Sequence, residues 1–319
     1  MKPKVSIIVP AYNEEKTLCM CLDSLMSLNF SKHDFEVVVV DNNSTDGTKN
    51  IITSYPVKYI FEGKRSRGAA RNKGVKESQG ELLAFIDADC VADKDWLLNI
   101  TKGFTSKEIG GCGGKVLAYE PRSLIEKYID YRGMYSQEEC ITNKKTLLPR
   151  IITANAAYPR RIVEEVGLFD SRFASQEDID LAWRVFLKGY KLAYIPEAMV
   201  YHRHRKTLVD AVRQCFERGQ FSIYLQQKYI NLGKMPFFIC YNSNNFFLEQ
   251  FKALISFPRA MFKGKDLLAK TLPLLDMIRN TTFLLGRICT LLKPRWRPTP
   301  IPKSAFVGVL KRILLQTNI

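Results

Sequence analysis

At 319 residues and 46% hydrophobic, the chain is long enough for one large globular domain plus an appendage and too apolar to be disordered. Its formal net charge of +16 is uneven: residues 203–319 hold 20 of the 48 Lys and Arg and 5 of the 32 Asp and Glu, a balance of +15, which leaves +1 for residues 1–202. A basic C-terminal third of this kind is either a solvated face or a surface for nucleic acid, anionic lipid or phosphorylated substrates.

The N-terminal segment MKPKVSIIVPAYNEE has an apolar core too short for the central region of a signal peptide, so it predicts a strand and a protein that is not exported. The eight cysteines form no CxxC pair and no zinc-like spacing with histidine. Reduced thiols in a cytosolic setting are the simplest reading. VSIIV (5–9), FEVVVV (35–40), VKYIF (57–61) and ELLAFI (81–86) are continuous apolar runs, as expected of parallel strands covered on both faces. Between them EEKTLCMCLDSLMSL, DGTKNIITSY and RGAARNKGVKESQ have the composition and length of crossover helices. The expected fold class is therefore α/β, a doubly wound, mainly parallel sheet.

Beyond residue 90 the rhythm changes to a mixed α+β half. WLLNITKGF reads as a helix, GGCGGKVLAYE as a glycine-loosened strand, SLIEKYIDYRGMYSQEE as one long helix and ITANAAYP as a strand. RRIVEEVG is a short helix, EDIDLAWRVFLKG an amphipathic helix ending at Gly189, and YKLAYIP a closing strand. After His204, TLVDAVRQCFERGQFSIYLQQKY predicts an amphipathic helix, and the stretch from FPRAMFK to RWRP mixes Leu, Phe and Ile with Lys and Arg. Asp276, Arg279 and Arg287 interrupt its best apolar window, which argues against a spanning helix. Basic amphipathic helices suit an anionic membrane surface; packing against the core is the other reading.

Ligands of a parallel α/β sheet collect beyond the carboxyl ends of its strands. There the chain supplies PAYNEE after the first strand, DNNSTDGT after the second and DADC after the fourth. The loop after the third brings Lys64, Arg65, Arg67 and Arg71 to the start of a helix, a phosphate site by charge and geometry. Asp87 and Asp89 are hard oxygen ligands one residue apart, suited to Mg²⁺ or Mn²⁺ bridging to a diphosphate. Either carboxylate alone would more commonly be a turn or cap residue.

SIIVPAYNEEKTLCMCLDSL, VVVVDNNSTDGT, GAARNKG and FIDADC, followed by ITANAAYPRRIVEEVGLFDSRF and QEDIDLAWRVFLKGYKLAYIP, resemble the family 2 glycosyltransferases over roughly residues 3–205. These are inverting, nucleotide-sugar-dependent enzymes with the GT-A fold, hexosyltransferase-like in activity. The resemblance implies a catalytic domain over 1–205, with a nucleotide-binding half about 1–90 and an acceptor half about 91–205, and leaves 206–319 as a basic amphipathic helical region. It implies that Pro10, Ala11, Tyr12, Asn13, Glu14 and Asp41 hold the nucleoside, that Arg71 lies near the diphosphate, and that Asp89 binds the metal directly. For Asp87 the metal and the donor's ribose both remain open. Glu177 and Asp178 match the acidic pair near the acceptor, with Asp178 the general base.

Inversion needs a base opposite the leaving group and charge neutralisation on the leaving diphosphate, so two separated acidic sites agree with that chemistry. Asn155 either touches the acceptor or caps a turn. His202 and His204 follow the closing strand, alternate along an extended segment and are candidates for a metal or diphosphate contact, His202 ahead of His204. Asp180 and Arg184, four apart, are placed to form a stiffening ion pair.

The Q-x-x-R-W signature of processive members is missing from RQCFERGQ, which favours transfer of a single sugar. The expected donor is a nucleoside-diphosphate sugar, UDP-linked by preference, and the expected cofactor Mg²⁺ or Mn²⁺. The expected acceptor is a glycan or polyprenyl-phosphate-linked intermediate, met on the inner face of the cell membrane. A metal-dependent phosphohydrolase or a noncatalytic membrane-surface protein is the alternative. PAYNEE has no glycine for a dinucleotide fingerprint, and the basic region holds no nucleic-acid module.

Overall fold

The computed structural model describes residues 3–142, 148–229 and 246–293. It divides into two compact units, residues 1–120 with 135–203, and residues 121–134 with 204–319. The RWRP segment that closes the expected amphipathic stretch lies outside the described residues.

The first unit is built on one eight-stranded sheet: β1 Val5–Ala11, β2 Phe35–Asp41, β3 Lys58–Phe61, β4 Leu82–Phe85, β5 Cys90–Ala92, β6 Ile109–Ala118, β7 Ala156–Pro159 and β8 Lys191–His202, in the order β3-β2-β1-β4-β7-β6-β8-β5. The first four are parallel, as their continuous apolar runs predict. β7 runs antiparallel between β4 and β6, and β5 antiparallel to β8, which makes the second half mixed.

Helices α1 Leu18–Met26, α2 Thr48–Thr53, α3 Arg67–Glu77, α4 Trp96–Lys102, α5 Leu124–Tyr131, α6 Glu138–Ile141, α7 Arg160–Glu165 and α8 Glu177–Leu187 connect these strands. Alternate residues of β1 serve two cores. Val5, Ile7 and Val9 pack with Leu18, Leu22 and Leu25 of α1, whereas Ile8 joins Val75, Tyr158 and Leu181 on the other face.

The helix expected over 123–139 is two helices. α5 begins at a capping box between Ser123 and Glu126 and stops where Gly133 takes φ 56°, with the Met134 amide bonded back to the Ile129 carbonyl at 3.3 Å. The glycines of β6 loosen the strand to make room. A Cβ at Gly111 would run into the Tyr158 ring, and one at Gly114 into the Asn155 amide and the Ala198 carbonyl.

The second unit holds α5 with α9 Leu208–Tyr229, α10 Phe246–Lys263 and α11 Leu267–Leu292. Asp276 of α11 accepts from Tyr128 at 2.8 Å and from the Arg132 guanidinium. Arg287 donates to Ser222 at 3.0 Å and Gln226 at 2.8 Å on α9. Among the described residues no helix is long and apolar enough to cross a membrane.

Candidate active site

The carboxyl ends of β1, β2 and β4 open on one edge of the sheet, and the loops there are tied to one another. Asn13 and Asn43 take left-handed backbone (φ 54° and 64°), a conformation asparagine tolerates. The Asn13 amide donates to Ser44 Oγ at 3.1 Å, its side-chain oxygen accepts the Thr45 amide at 2.8 Å, and the Glu14 amide donates to Thr48 Oγ1 at 2.8 Å. Pro10 and Ala11 end β1 in register with Val40 and Asp41. Asp41 is buried, accepts the Ser44 amide at 2.9 Å and faces the Tyr59 hydroxyl at 3.4 Å. Tyr12 is 37% exposed with the Arg65 guanidinium 4.2 Å from its ring centroid, a cation–π contact at the mouth of the loop. The residues expected on the nucleoside side are thus brought together.

Arg71 is not free to meet a phosphate with its whole fork. It is 2% exposed in α3, its Nη2 donates to Asp87 Oδ1 at 2.8 Å, and its Nη1 is paired with Glu177 Oε1. Its Nε is buried without a hydrogen-bond partner. The guanidinium expected beside the diphosphate is an internal strut between the strand-end carboxylate and the acidic pair of α8, while Lys64, Arg65 and Arg67 are the exposed cations of that loop. Burial pushes the Asp87 carboxyl up, but Arg71 and then Arg67 pull it below its ordinary value. For Glu177 burial prevails over Arg71, and its carboxyl is held above the ordinary value.

Asp89 faces different neighbours. β5 and β8 pair with Cys90 opposite His202, so these two side chains share a face. His202 Nε2 lies 3.6 Å from Asp89 Oδ1, and Cys90 Sγ 3.8 Å from the same oxygen. The three ligand atoms fall within 4.8 Å of one another. Tyr135 covers the imidazole, with ring centroids 4.1 Å apart and 31° between the planes. His202 is 3% exposed. Burial, followed by Asp89 and Asp87, drives the Cys90 thiol well above its ordinary value, so it stays protonated as a donor to Asp89. Carboxylate and imidazole in convergence fit a divalent cation of borderline softness, with the protonated thiol beside them. His204 lies in the second unit and is buried.

α8 presents the second acidic site. Gln176 enters it with φ 70°, a strained entry for a residue other than glycine or asparagine. Asp178 is half-buried, and its Oδ2 accepts the Thr153 amide at 3.3 Å and its Oδ1 the Ile179 amide at 2.8 Å. Asp180 is fully buried and pairs with Arg184 at 2.9 Å, the stiffening contact expected from the spacing. Asn155 is also fully buried. Its oxygen accepts from Trp96 Nε1 at 2.9 Å and its amide donates to the Lys115 and Ala198 carbonyls at 2.9 and 2.8 Å. It locks β6, β8 and α4 together and offers nothing to an acceptor, a correction to that half of its reading. Cys90 and Tyr135 were not anticipated. Cys90 adjoins Asp89 in sequence, whereas nothing in the sequence ties Tyr135 to His202.

Residues 6–167 match the model of glycosyl transferase family 2. The glycosyltransferase AglE of Haloferax volcanii is 31% identical over 233 residues, which are 70% of this chain and 75% of that protein. The dolichyl N-acetyl-alpha-D-glucosaminyl phosphate 3-beta-D-2,3-diacetamido-2,3-dideoxy-beta-D-glucuronosyltransferase of Methanococcus voltae is 23% identical over 72% of this chain and 76% of its own. Other curated relatives are longer, and the chain spans about half their length (52% and 51%). Among solved structures, the mannosyltransferase PcManGT from Pyrobaculum calidifontis, in complex with GDP-Man and Mn²⁺, shares the fold at a TM-score of 0.57 and 20% identity, over 99% of this chain and 81% of that one. The chain belongs to glycosyl transferase family 2 and is a glycosyltransferase of GT-A fold.

Proposed function

We propose that the protein moves a single sugar, with inversion, from a nucleoside-diphosphate sugar, UDP-linked by preference, to a hydroxyl or phosphate of a lipid-linked acceptor or growing glycan. The observation that carries this reading is the separation of two acidic sites by one buried arginine: Asp89 with His202 and Cys90 on one side, Asp178 on the other, and Arg71 joining Asp87 to Glu177 between them. The family assignment supports the class of reaction, and the GDP-Man and Mn²⁺ bound to PcManGT support the donor and cofactor classes.

In this reading the loop from Pro10 to Glu14, with Asp41, receives the nucleoside, and Tyr12 with Arg65 closes over its exposed side. Lys64, Arg65 and Arg67 take the diphosphate charge. Asp87, whose carboxyl is engaged by Arg71, is left to the donor and the positioning of Arg71. Asp89 and His202 hold the divalent cation, Mn²⁺ in preference to Mg²⁺ because imidazole is a softer ligand than water or carboxylate. When bound, that ion neutralises charge on the departing diphosphate. Asp178 takes the acceptor's proton; Glu177 is spent on Arg71.

The lipid-linked acceptor rests on the basic, apolar region after residue 205 and on the dolichyl phosphate named for the Methanococcus relative. In the same reading residues 1–205 are catalytic, and residues 206–319 hold the enzyme to the cytoplasmic face of the membrane. Calorimetry tests the donor site: wild type should bind its nucleotide sugar in the presence of Mn²⁺, and Asp89→Asn should not. Equal binding by the variant would remove Asp89 from the metal site.

A further inference from the structure

Helix α10 is apolar on two sides, and only one of them is covered among the described residues. Ala253 is 7% exposed and Phe257 and Ala260 are half-buried on the side that packs, where Gln250 reaches α11 through Thr281 at 3.0 Å. On the opposite side, Phe251, Leu254, Ile255, Pro258 and Phe262 recur at i, i+3, i+4, i+7 and i+11, the repeat of a single helical face. All five are exposed, Phe262 to 90% and Ile255 to 61%.

The neighbouring α11 repeats the arrangement. Two of its charged groups are engaged inward: Asp276 binds Tyr128 and Arg132, and Arg287 binds Ser222 and Gln226. The side left outward carries Leu274, Leu285, Ile288 and Leu292, between 40% and 76% exposed and also on one face. A helix facing water would do the reverse, turning charge out and leucine in. Exposed apolar stripes of this extent mark a surface that meets something apolar.

Charge selects the occupant. In sequence α10 holds Lys252, Arg259 and Lys263 against Glu249, within a region of net +15. Two copies of so basic a region repel each other, whereas anionic lipid headgroups attract it. We infer that the Phe251, Leu254, Ile255, Pro258 and Phe262 face of α10, together with the outward leucines of α11, is the surface by which this protein enters the headgroup layer of an anionic bilayer. The helices then lie along the membrane and do not cross it. The inference rests on the membrane-surface reading above and narrows it to named side chains.

The test is partition of the full-length protein onto vesicles of phosphatidylcholine with and without phosphatidylglycerol, followed by sedimentation. Wild type should bind the anionic vesicles and release in high salt, and Leu254→Glu with Phe262→Glu should lower partition by at least about tenfold. Because both side chains are exposed, the pair should keep the wild-type circular dichroism and donor hydrolysis. Partition unchanged by the substitutions, or equal on neutral vesicles, would overturn the inference. So would a lipid-free dimer that the same substitutions dissociate, since a second copy would then occupy the face. Donor hydrolysis separates the two readings: vesicle binding without turnover of any nucleotide sugar sustains this surface and defeats the proposed activity, and turnover without vesicle binding does the opposite.

Discussion

A guanidinium that is 2% exposed has given up its hydration, and only carboxylates in contact with it make that burial tolerable. Arg71 has two, Asp87 and Glu177, and each in turn depends on it. Removing the cation leaves Glu177, itself 3% exposed, as a buried carboxylate without its paired guanidinium. Arg71→Met should therefore cost about 3–5 kcal/mol of stability in urea unfolding. A loss below about 1 kcal/mol, the scale of an exposed pair, would mean that the strut is incidental. The sequence displayed Arg71 as one of four basic residues near a helix start, which suits a phosphate site. Its partner on α8 lies 106 positions away, and no local spacing announces a contact of that range. Asn155 was ambiguous for the same reason, because its partners Trp96, Lys115 and Ala198 come from three separate elements. That Asp89 would lie at the carboxyl edge of the sheet was legible, because the loop after a parallel strand opens there.

At the level of elements, the parallel strands were plain in the sequence: a strand covered on both faces must be largely apolar, and β1, β2 and β4 are, apart from Ser6, Glu36 and Asp41. The split of residues 123–139 was missed because the helical pattern runs on through a glycine whose left-handed conformation is decided by the turn. Closeness between distant helices was equally hidden. α9 and α11 cross where Gly219 faces the Phe283 carbonyl and Gly286 the Phe216 carbonyl, and a Cβ at either position would overlap that oxygen. Gly286→Ala must push the two helices apart, so it should lower stability by about 1–3 kcal/mol, read as a fall in Tm. An unchanged Tm would show that the crossing has slack. These glycines look like helix weaknesses in sequence, and only the packing gives them a purpose.

On the scale of the whole molecule, charge and chemistry are divided between regions: residues 1–202 are near neutral and carry the acidic sites, while residues 203–319 carry +15. A nearly neutral region with the acidic residues and a basic, outwardly apolar helical region in one chain agree with the proposed reading, in which the donor is water-soluble and the acceptor is held at a membrane. Family membership fixes the reaction class; donor, acceptor and base are what the site geometry proposes. The direct measurement is transfer of label from a panel of UDP- and GDP-sugars, with Mn²⁺, into a lipid extract of cells that make the protein. Wild type should move label from one donor into the lipid fraction, and Asp178→Asn should reduce that transfer by at least about 10²-fold while binding the donor as before. Absence of both transfer and donor hydrolysis with every nucleotide sugar, or full transfer by Asp178→Asn, would contradict the proposed reaction.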